Sequence, residues 1–462
     1  MIVQPVLLWS DALLFVLIAV IVALVMWARR QDALRAAWSR VAGNGVAMAA
    51  ATVLAVFVLI GLLDSLHYRA RLDSQPGADA GAATRYAVEV NSALDALLSG
   101  LRQRAEKTYS APLATHLYAK EALENSTQRE FPQLKYGGVH LGADLRGHEF
   151  DIAVRVSRGC AGGLMLWLLL VGAWCWWRGL KVVEMLKTGA GETAIRAVAL
   201  TLLPILLLLG MAIALGGGYH VFGTDKVGQD VLYLSLKSIR TGLLIGTLTT
   251  LVMLPLAVLL GILAGYIGGW VDDLIQYLYT TLSSIPGVLL IAAAVLMMQV
   301  VIDTHPDWFA TSAERADARL LALCLILGMT SWTGVARLLR GETLKLRELE
   351  FVQAAQAFGV GRFAIMRRHI LPNLMHIVLI ALVMDFSGLV LAEAVLSYVG
   401  VGVDPTTISF GTMINTARME LAREPMVWWS LVAAFSFMFV LVLAANLFAD
   451  AVRDAFDPRS SI

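Results

Sequence analysis

Residues 350–374 read EFVQAAQAFGVGRFAIMRRHILPNL, a cationic amphipathic stretch set between two long apolar ones. Phe351, Ala354, Ala355 and Phe358 fall at i, i+3, i+4 and i+7, so a helix here carries one apolar stripe. The alanine pair permits close backbone approach by another protein surface. Gly359 and Gly361 can take positive φ, which lets the helix stop and the chain turn back. Pro372 suits the first turn of the next helix. Arg367, Arg368 and His369 hold the stretch at a polar surface. The plain alternative is an amphipathic helix lying on lipid.

The setting of this stretch is a membrane. Of 462 residues, 58% are hydrophobic and 15% charged, against about 45–50% and 25% in soluble domains. Apolar runs long enough to cross a bilayer recur at 8–28, 45–63, 161–177, 197–217, 241–265, 274–301, 319–339, 375–397 and 428–450. They are continuous rather than alternating, which argues against a β-barrel and predicts an all-α polytopic protein. The net charge of +1 gives no field that would favour nucleic acid. Cys160, Cys175 and Cys324 are far apart and lack CxxC spacing, so neither a disulfide frame nor a metal site is expected.

Orientation follows from Lys and Arg in the short loops. The 29–44 loop holds Arg29, Arg30, Arg35 and Arg40, and the 337–374 loop holds seven basic residues. The 302–318 and 399–427 loops are poor in them. Alternation puts the amino terminus and residues 64–160 outside, and 29–44, 178–196, 266–273, 337–374 and the carboxyl-terminal tail inside. The first run lacks a basic leader and a small-residue cleavage site, so it reads as a retained anchor. Within 64–160, Val90, Leu94, Leu97, Leu98 and Leu101 share one helical face. That segment is either a small folded cap or a loosely packed excursion. Gly142-Ala-Asp144-x-x-Gly147-x-Glu149 echoes Gly223-Thr-Asp225-x-x-Gly228-x-Asp230, each after a histidine (His140, His220). The echo is a duplicated extracytoplasmic element or a chance coincidence.

Five stretches in order carry a family resemblance: GTDKVGQDV (Gly223–Val231), GYIGGWVDDLIQ (Gly265–Gln276), the 350–374 stretch, LAEAVLSYVGVGVDP (Leu391–Pro405) and FADAVRDAFDPR (Phe448–Arg459). Together they resemble the permease subunits of ATP-binding-cassette importers for dipeptides and oligopeptides, a family that includes nickel and microcin-type peptide uptake systems. The resemblance covers 197–459 and implies a six-helix type I importer core. Residues 1–180 are then an extension with about three further spans. It implies that 350–374 is the coupling loop, with Phe351, Gln353, Ala354, Ala355, Phe358, Gly359, His369 and Pro372 at the contact with a separate ATPase. It also implies a bacterial inner-membrane location. The family's Glu at the start of the coupling motif is Gln353 here, its Arg after the Ala pair is Gln356, and its Arg in GTDxxGRD is Gln229.

The same resemblance implies the partners. These are a second permease completing the path, two ATPases that carry ATP and magnesium, a substrate-binding protein outside, and the bilayer. This chain itself would bind no cofactor. Gly218 to Gly223 is followed by Thr-Asp rather than Lys-Ser, so no phosphate loop forms. His148-Glu149 is followed by Ile152 where a zinc protease needs His, and no GxSxG occurs. The chain is therefore expected not to be an enzyme. Short peptides are the expected cargo, with a metal chelate, peptide antibiotic or oligosaccharide as alternatives. An exporter or sensor module and a membrane enzyme are the readings from other classes.

Asp385 lies mid-span and Glu393 near a span end. Each is a substrate-path candidate, because an intramembrane acid is costly; helix pairing and snorkelling to water are the alternatives. Asp225 and Asp230, with Gly223 and Gly228, mark the outer signature, where the two acids are expected to cap a short amphipathic helix over Val231–Ile239, with contact to a delivering receptor as the alternative. Pro204, Pro255 and Pro286 interrupt spans. Trp174, Trp176, Trp177, Trp428 and Trp429 read as interfacial anchors.

Overall fold

The computed structural model describes residues 3–71, 86–122, 129–142, 147–179, 193–309 and 311–456. Most of the 178–196 loop, Asp144 of the echo and the end of the FADAVRDAFDPR stretch lie outside these residues. Among the described residues, eight helices are long and apolar enough to cross a membrane. The chain is an all-α polytopic membrane protein, with only short strands beside its helices.

By internal contacts the chain divides into two compact units. The first comprises Met1–Leu7, Gln31–Thr241 and Ile408–Ala451; the second comprises Leu8–Arg30, Gly242–Thr407 and Val452–Ile462. Neither coincides with the ranges 1–180 and 197–459.

In the first unit, β1 (Val3–Val6) pairs antiparallel with β2 (His67–Ala70), which pairs with β3 (Asn91–Ser92). Helix α2 (Asp32–Gly43) leads through Asn44 into α3 (Gly45–Ser65). The Asn44 side chain accepts from Val46 N and Ala47 N and so caps α3. Between α3 and α6 (His148–Arg178) lies a large insert. Its described part holds two short helices, α4 (Ala93–Leu97) and α5 (Ser99–Arg102). The helical face of Val90, Leu94, Leu97, Leu98 and Leu101 is split between them. A capping box at Ser92 and Asp95 starts α4 late, and the backbone breaks at Leu98.

Helix α6 packs along α7 (Thr193–Gly216) through glycines. A Cβ on Gly159 would sit 2.6 Å from Gly210 O, and one on Gly163 would strike Leu206 O. Small residues at such contacts let membrane helices approach closely, where dispersion replaces the hydrophobic effect as the driving force. Trp167 donates from Nε1 to Ala199 O at 2.7 Å across the same contact. Helix α8 then runs unbroken over Val231–Ile267, so the expected short helix at 231–239 is its first turns. Helix α16 (Phe410–Glu420) and the start of α17 (Trp429–Phe456) complete the unit.

In the second unit, α1 (Trp9–Ala28) packs against α11 (Ser312–Ser331). The Asp317 carboxylate accepts from both the amide and the hydroxyl of Ser10. The first apolar run, not among the eight membrane-crossing helices, is therefore packed within the second unit. The expected single span at 274–301 is two helices, α9 (Gly269–Ser284) and α10 (Gly287–Thr304). Pro286 stands at the N-cap of α10, and the preceding Ile285 is extended, as a residue before proline prefers. Helix α12 (Thr333–Arg347) continues α11 beyond Trp332. There follow α13 (Glu350–Ala357), α14 (Arg362–Ile365), a π-helical turn at Met366–Ile370, and α15 (Leu371–Val399).

The glycine contact of α6 with α7 is testable. Gly163→Leu is expected to lower thermal stability in detergent micelles by at least about 1–3 kcal/mol, the usual cost of overpacking. Gly172→Leu, on the same helix with nothing near its Cβ position, should leave the melting temperature unchanged.

Candidate functional site

Two loops carry most of the residues singled out in the sequence, and α15 carries Asp385 and Glu393. The first is the 350–374 hairpin. Leu346, Val352, Ala355, Ile365, Ile370 and Leu374 share a core with Tyr266, Ile275, Ala336 and Leu339. That core is held by a glycine approach of α8 to α12: a Cβ on Gly261 would sit 2.8 Å from Ala336 O, and one on Gly265 2.6 Å from Thr343 Cβ. Arg340 adds a forked ion pair to Asp272, Nε to Oδ1 at 2.6 Å and a terminal nitrogen to Oδ2 at 2.7 Å. The guanidinium beside it outweighs burial and lowers the Asp272 pKa.

On α13 the buried positions are Val352 and Ala355, at i and i+3. Phe351, Ala354 and Phe358 point away from that core, with Phe358 87% exposed. The predicted stripe is thus turned outward, with Ala355 at its buried edge. Phe363, 71% exposed, extends the apolar surface beyond the turn.

The turn itself is a Schellman motif. Val360 N donates to Ala355 O at 3.0 Å and Gly359 N to Gln356 O at 2.9 Å, with Gly359 at φ +75°. Gly361 has φ −60° and serves instead as the N-cap of α14, so only one of the two glycines uses left-handed space. Gln353 Nε2 donates to Glu348 O, and Gln356 Nε2 to Tyr266 Oη, so both neutral replacements find partners inside the hairpin's surroundings. His369 lies in the π turn with its ring 6.1 Å from that of Phe351, and Pro372 occupies the first turn of α15.

The second loop is Gly218–Val231. Gly223 and Gly228 both adopt positive φ (+70° and +78°), and each backbone lies against the insert. A Cβ on Gly223 would strike Ser110 O, and one on Gly228 would strike Glu106 O. Asp225 Oδ1 accepts from Val227 N and Gln229 N, so this residue shapes the loop and caps no helix. Asp230 is the N-cap of α8: its Oδ1 accepts from Leu232 N at 2.9 Å and Tyr233 N at 3.3 Å.

The other Asp230 oxygen pairs with His220 Nδ1 at 2.8 Å, and His220 Nε2 lies 3.3 Å from Glu106 Oε1. The three groups are 1%, 2% and 7% exposed. Glu106 also accepts from the amides of Lys135, Tyr136 and Gly137. Burial opposes the charged imidazole, but the two carboxylates outweigh it and raise the His220 pKa to about 9. Burial likewise opposes the Glu106 carboxylate, yet the His220 and backbone hydrogen bonds lower its pKa.

Thr224, within the quoted signature but not singled out, is fully buried at its centre. Its Oγ1 accepts from Ser110 N at 2.7 Å and donates to Thr108 O at 2.9 Å. Its carbonyl accepts from Trp429 Nε1 at 2.9 Å. Trp429 is 2% exposed and therefore no interfacial anchor, while Trp176, Trp177 and Trp428 are exposed. No periodicity could have connected residues 110, 224 and 429. An open hollow of about 690 Å³ beside this node is lined by His116, Leu117, Tyr118, Glu130, Phe131 and Pro425.

The histidine echo has partial structural content. His140 Nε2 pairs with Asp151 at 2.7 Å, a residue outside the repeated pattern, whereas His220 pairs through Nδ1 with Asp230 inside it. Gly142 takes φ +61° like Gly223, but Gly147, at φ −88°, does not match Gly228. Elsewhere, Asp385 and Glu393 lie on the stripe of α15 that also bears the buried Val378, Ala381 and Leu389. Asp385 Oδ2 is buried without a hydrogen-bond partner. Glu393 is 1% exposed and accepts from Ser397 Oγ at 2.7 Å. Among the described residues, no His, Cys, Asp and Glu group is arranged to hold a metal ion.

A polytopic helical core carrying these two signature loops has the architecture of a transport permease. Residues 257–462 match the family described as binding-protein-dependent transport system inner membrane component. The oligopeptide transport system permease protein OppC of Mycobacterium bovis is 31% identical over 244 residues, 53% of this chain and 77% of the relative. The dipeptide transport system permease protein DppC of Lactococcus lactis is 31% identical over 242 residues, 52% of this chain and 64% of the relative. The glutathione transport system permease protein GsiD of Pectobacterium atrosepticum is 31% identical over 242 residues, 52% and 73%. The chain belongs to the permeases of ATP-binding-cassette importers, in their peptide-transport family.

The charged triad has a pH signature. A histidine whose folded pKa lies above its unfolded value of about 6.5 contributes fully below that value and loses its contribution as pH rises through about 9. The loss approaches about 3 kcal/mol at about 1.4 kcal/mol per unit. Hydrogen exchange at the amides of Tyr136, Gly137 and Gly228 should therefore quicken between about pH 6.5 and 10 beyond its intrinsic rise. His220→Gln should abolish that excess.

Proposed function

We propose that this chain forms half of the translocation path of an ATP-driven importer of di- and oligopeptides. It would couple to a separate ATPase through the 350–374 hairpin. The observation that carries the reading is the outward apolar stripe of Phe351, Ala354 and Phe358 on a helix whose opposite side, Val352 and Ala355, is seated in the permease core. A short helix anchored on one side and apolar on the other suits the cleft of a partner protein; lipid alone would not require the Schellman turn that sets its end.

In this reading the hairpin and the carboxyl-terminal end face the cytoplasm, and the amino-terminal end, the insert and Gly218–Val231 face outward. The Lys and Arg distribution of the short loops supports that orientation. A second permease completes the path, two ATPases supply ATP and magnesium, and a binding protein delivers cargo from outside. Closure of the ATPases draws the hairpins together and turns the path outward. Gln353, Gly359, His369 and Pro372 shape the hairpin rather than touch cargo. Peptide cargo is supported by the names of the relatives. Asp385 is the better of the two path candidates, because one of its carboxylate oxygens lacks a partner, whereas Glu393 is hydrogen-bonded.

Phe358→Asp is expected to reduce peptide uptake about tenfold or more, equivalent to about 1.4 kcal/mol of lost coupling, with membrane insertion unchanged. Gly359→Val should act alike, since an L side chain in left-handed conformation costs about 1–2 kcal/mol. Wild-type uptake by both variants, measured with labelled peptide in cells making the whole transporter, would remove the docking role. Asp385→Asn should alter the rate or the cargo profile; an unchanged profile would assign Asp385 to helix packing.

A further inference from the structure

The insert grips two core segments at once. On one side it holds the loop that begins α8. Glu106 N donates to Gly228 O at 2.9 Å, Leu113 N to His220 O at 2.9 Å and Thr224 N to Ser110 O at 3.1 Å. The triad of Glu106, His220 and Asp230 lies beneath them. On the other side it holds the residues leading into α17. The Tyr118 ring meets Trp429 edge-on with centroids 4.8 Å apart, and Tyr118 Oη donates to Met426 O at 3.2 Å. Arg423 lies over the Tyr109 ring at 5.2 Å. Thr224 joins the two sides, since it is bonded to Thr108, Ser110 and Trp429 together.

We propose that residues 106–118 of the insert are a fixed clamp that keeps the first turns of α8 and α17 at constant separation throughout the transport cycle. Glu106 and Thr224 are its positioning residues. The physical ground is the cost of opening it. Release would strip the buried Glu106 carboxylate of its imidazolium, His220, while its three amide donors stay with it in the insert, and would leave the Thr224 hydrogen bonds unmade in an interior closed to water. The backbones at Gly223 and Gly228 lie so close to carbonyls of the insert that no side chain could stand between them. An importer must open on one side in each cycle, so the proposal, which rests on the import reading, assigns that opening to parts other than these two helix ends.

The Ser110 and Thr224 hydroxyl oxygens are 3.2 Å apart, which suits a reversible staple. In a background with Cys160, Cys175 and Cys324 replaced, Ser110→Cys with Thr224→Cys would be oxidised and then reduced. Uptake of labelled trialanine would be followed in cells making the whole transporter. A static clamp predicts that oxidised and reduced protein differ by no more than about twofold. A loss of about tenfold or more on oxidation, recovered on reduction, means that the clamp must open and overturns the proposal.

Absence of uptake in both forms would fault the peptide reading alone. A second measurement then decides, free of any transport assay. Nitroxides at Val227→Cys and Met426→Cys, both exposed positions, report the separation in the full chain in lipid nanodiscs. The distance distribution should be narrow with Glu106 present and broader in Glu106→Gln, whose amide cannot serve three backbone donors and an imidazolium. Equal widths in the two proteins would overturn the clamp.

Discussion

Close approach of helix backbones at glycine is the constraint on which the rest of this structure depends. Lipid supplies no hydrophobic drive between helices, so contact must come from dispersion at short range. Gly261 and Gly265 bring α8 against α12, and the core formed there receives Val352, Ala355, Ile365 and Ile370 of the hairpin. Gly159, Gly163 and Gly210 do the same for α6 and α7. Any side chain at these places would part the helices and remove the support beneath the loops they carry.

The insert shows a different chemistry. Beside buried apolar side chains such as Leu94, Leu117 and Leu134, it is held by buried ionic networks. Lys237 bridges Asp64 and Asp95 at 2.9 and 3.0 Å, Ser92 and Tyr233 complete those carboxylates, and the Asp95 pKa falls to about 2 against the pull of burial. Glu106, His220 and Asp230 repeat the pattern. Such networks add less stability than apolar packing of the same volume, but removing one member is costly. They specify one arrangement, which is what a segment sitting on a signature loop requires.

How much of this could be read beforehand follows from what is local. Eight of the nine apolar runs fall on helices long and apolar enough to cross a membrane, because a bilayer leaves a backbone few other choices, while the first, within Trp9–Ala28, is helical but not among those eight. The hairpin's turn was legible because a Gly between an apolar helix and a basic one has few uses. The outward facing of Phe351 was half legible: the stripe was visible, but which side of it meets the core depends on Val352, a residue outside the pattern. The break between α9 and α10 at Ile285 and Pro286 was hidden by hydropathy, which averages across a kink. The start of α8 at Val231 was masked by Lys237, a charge that finds Asp64 and Asp95 only after folding. The Thr224 node joins residues more than a hundred positions apart and leaves no periodic trace.

Gly359 carries a last consequence. Nothing lies within 4 Å of where its Cβ would be, so the position has ample room for a side chain. Its restriction is one of handedness: the backbone there sits in the region natural to the mirror image of an ordinary residue. A D-alanine installed by chemical synthesis would fit without strain where L-alanine of identical volume would not. Among encoded residues the site is thereby reserved for the achiral one, with asparagine the nearest substitute.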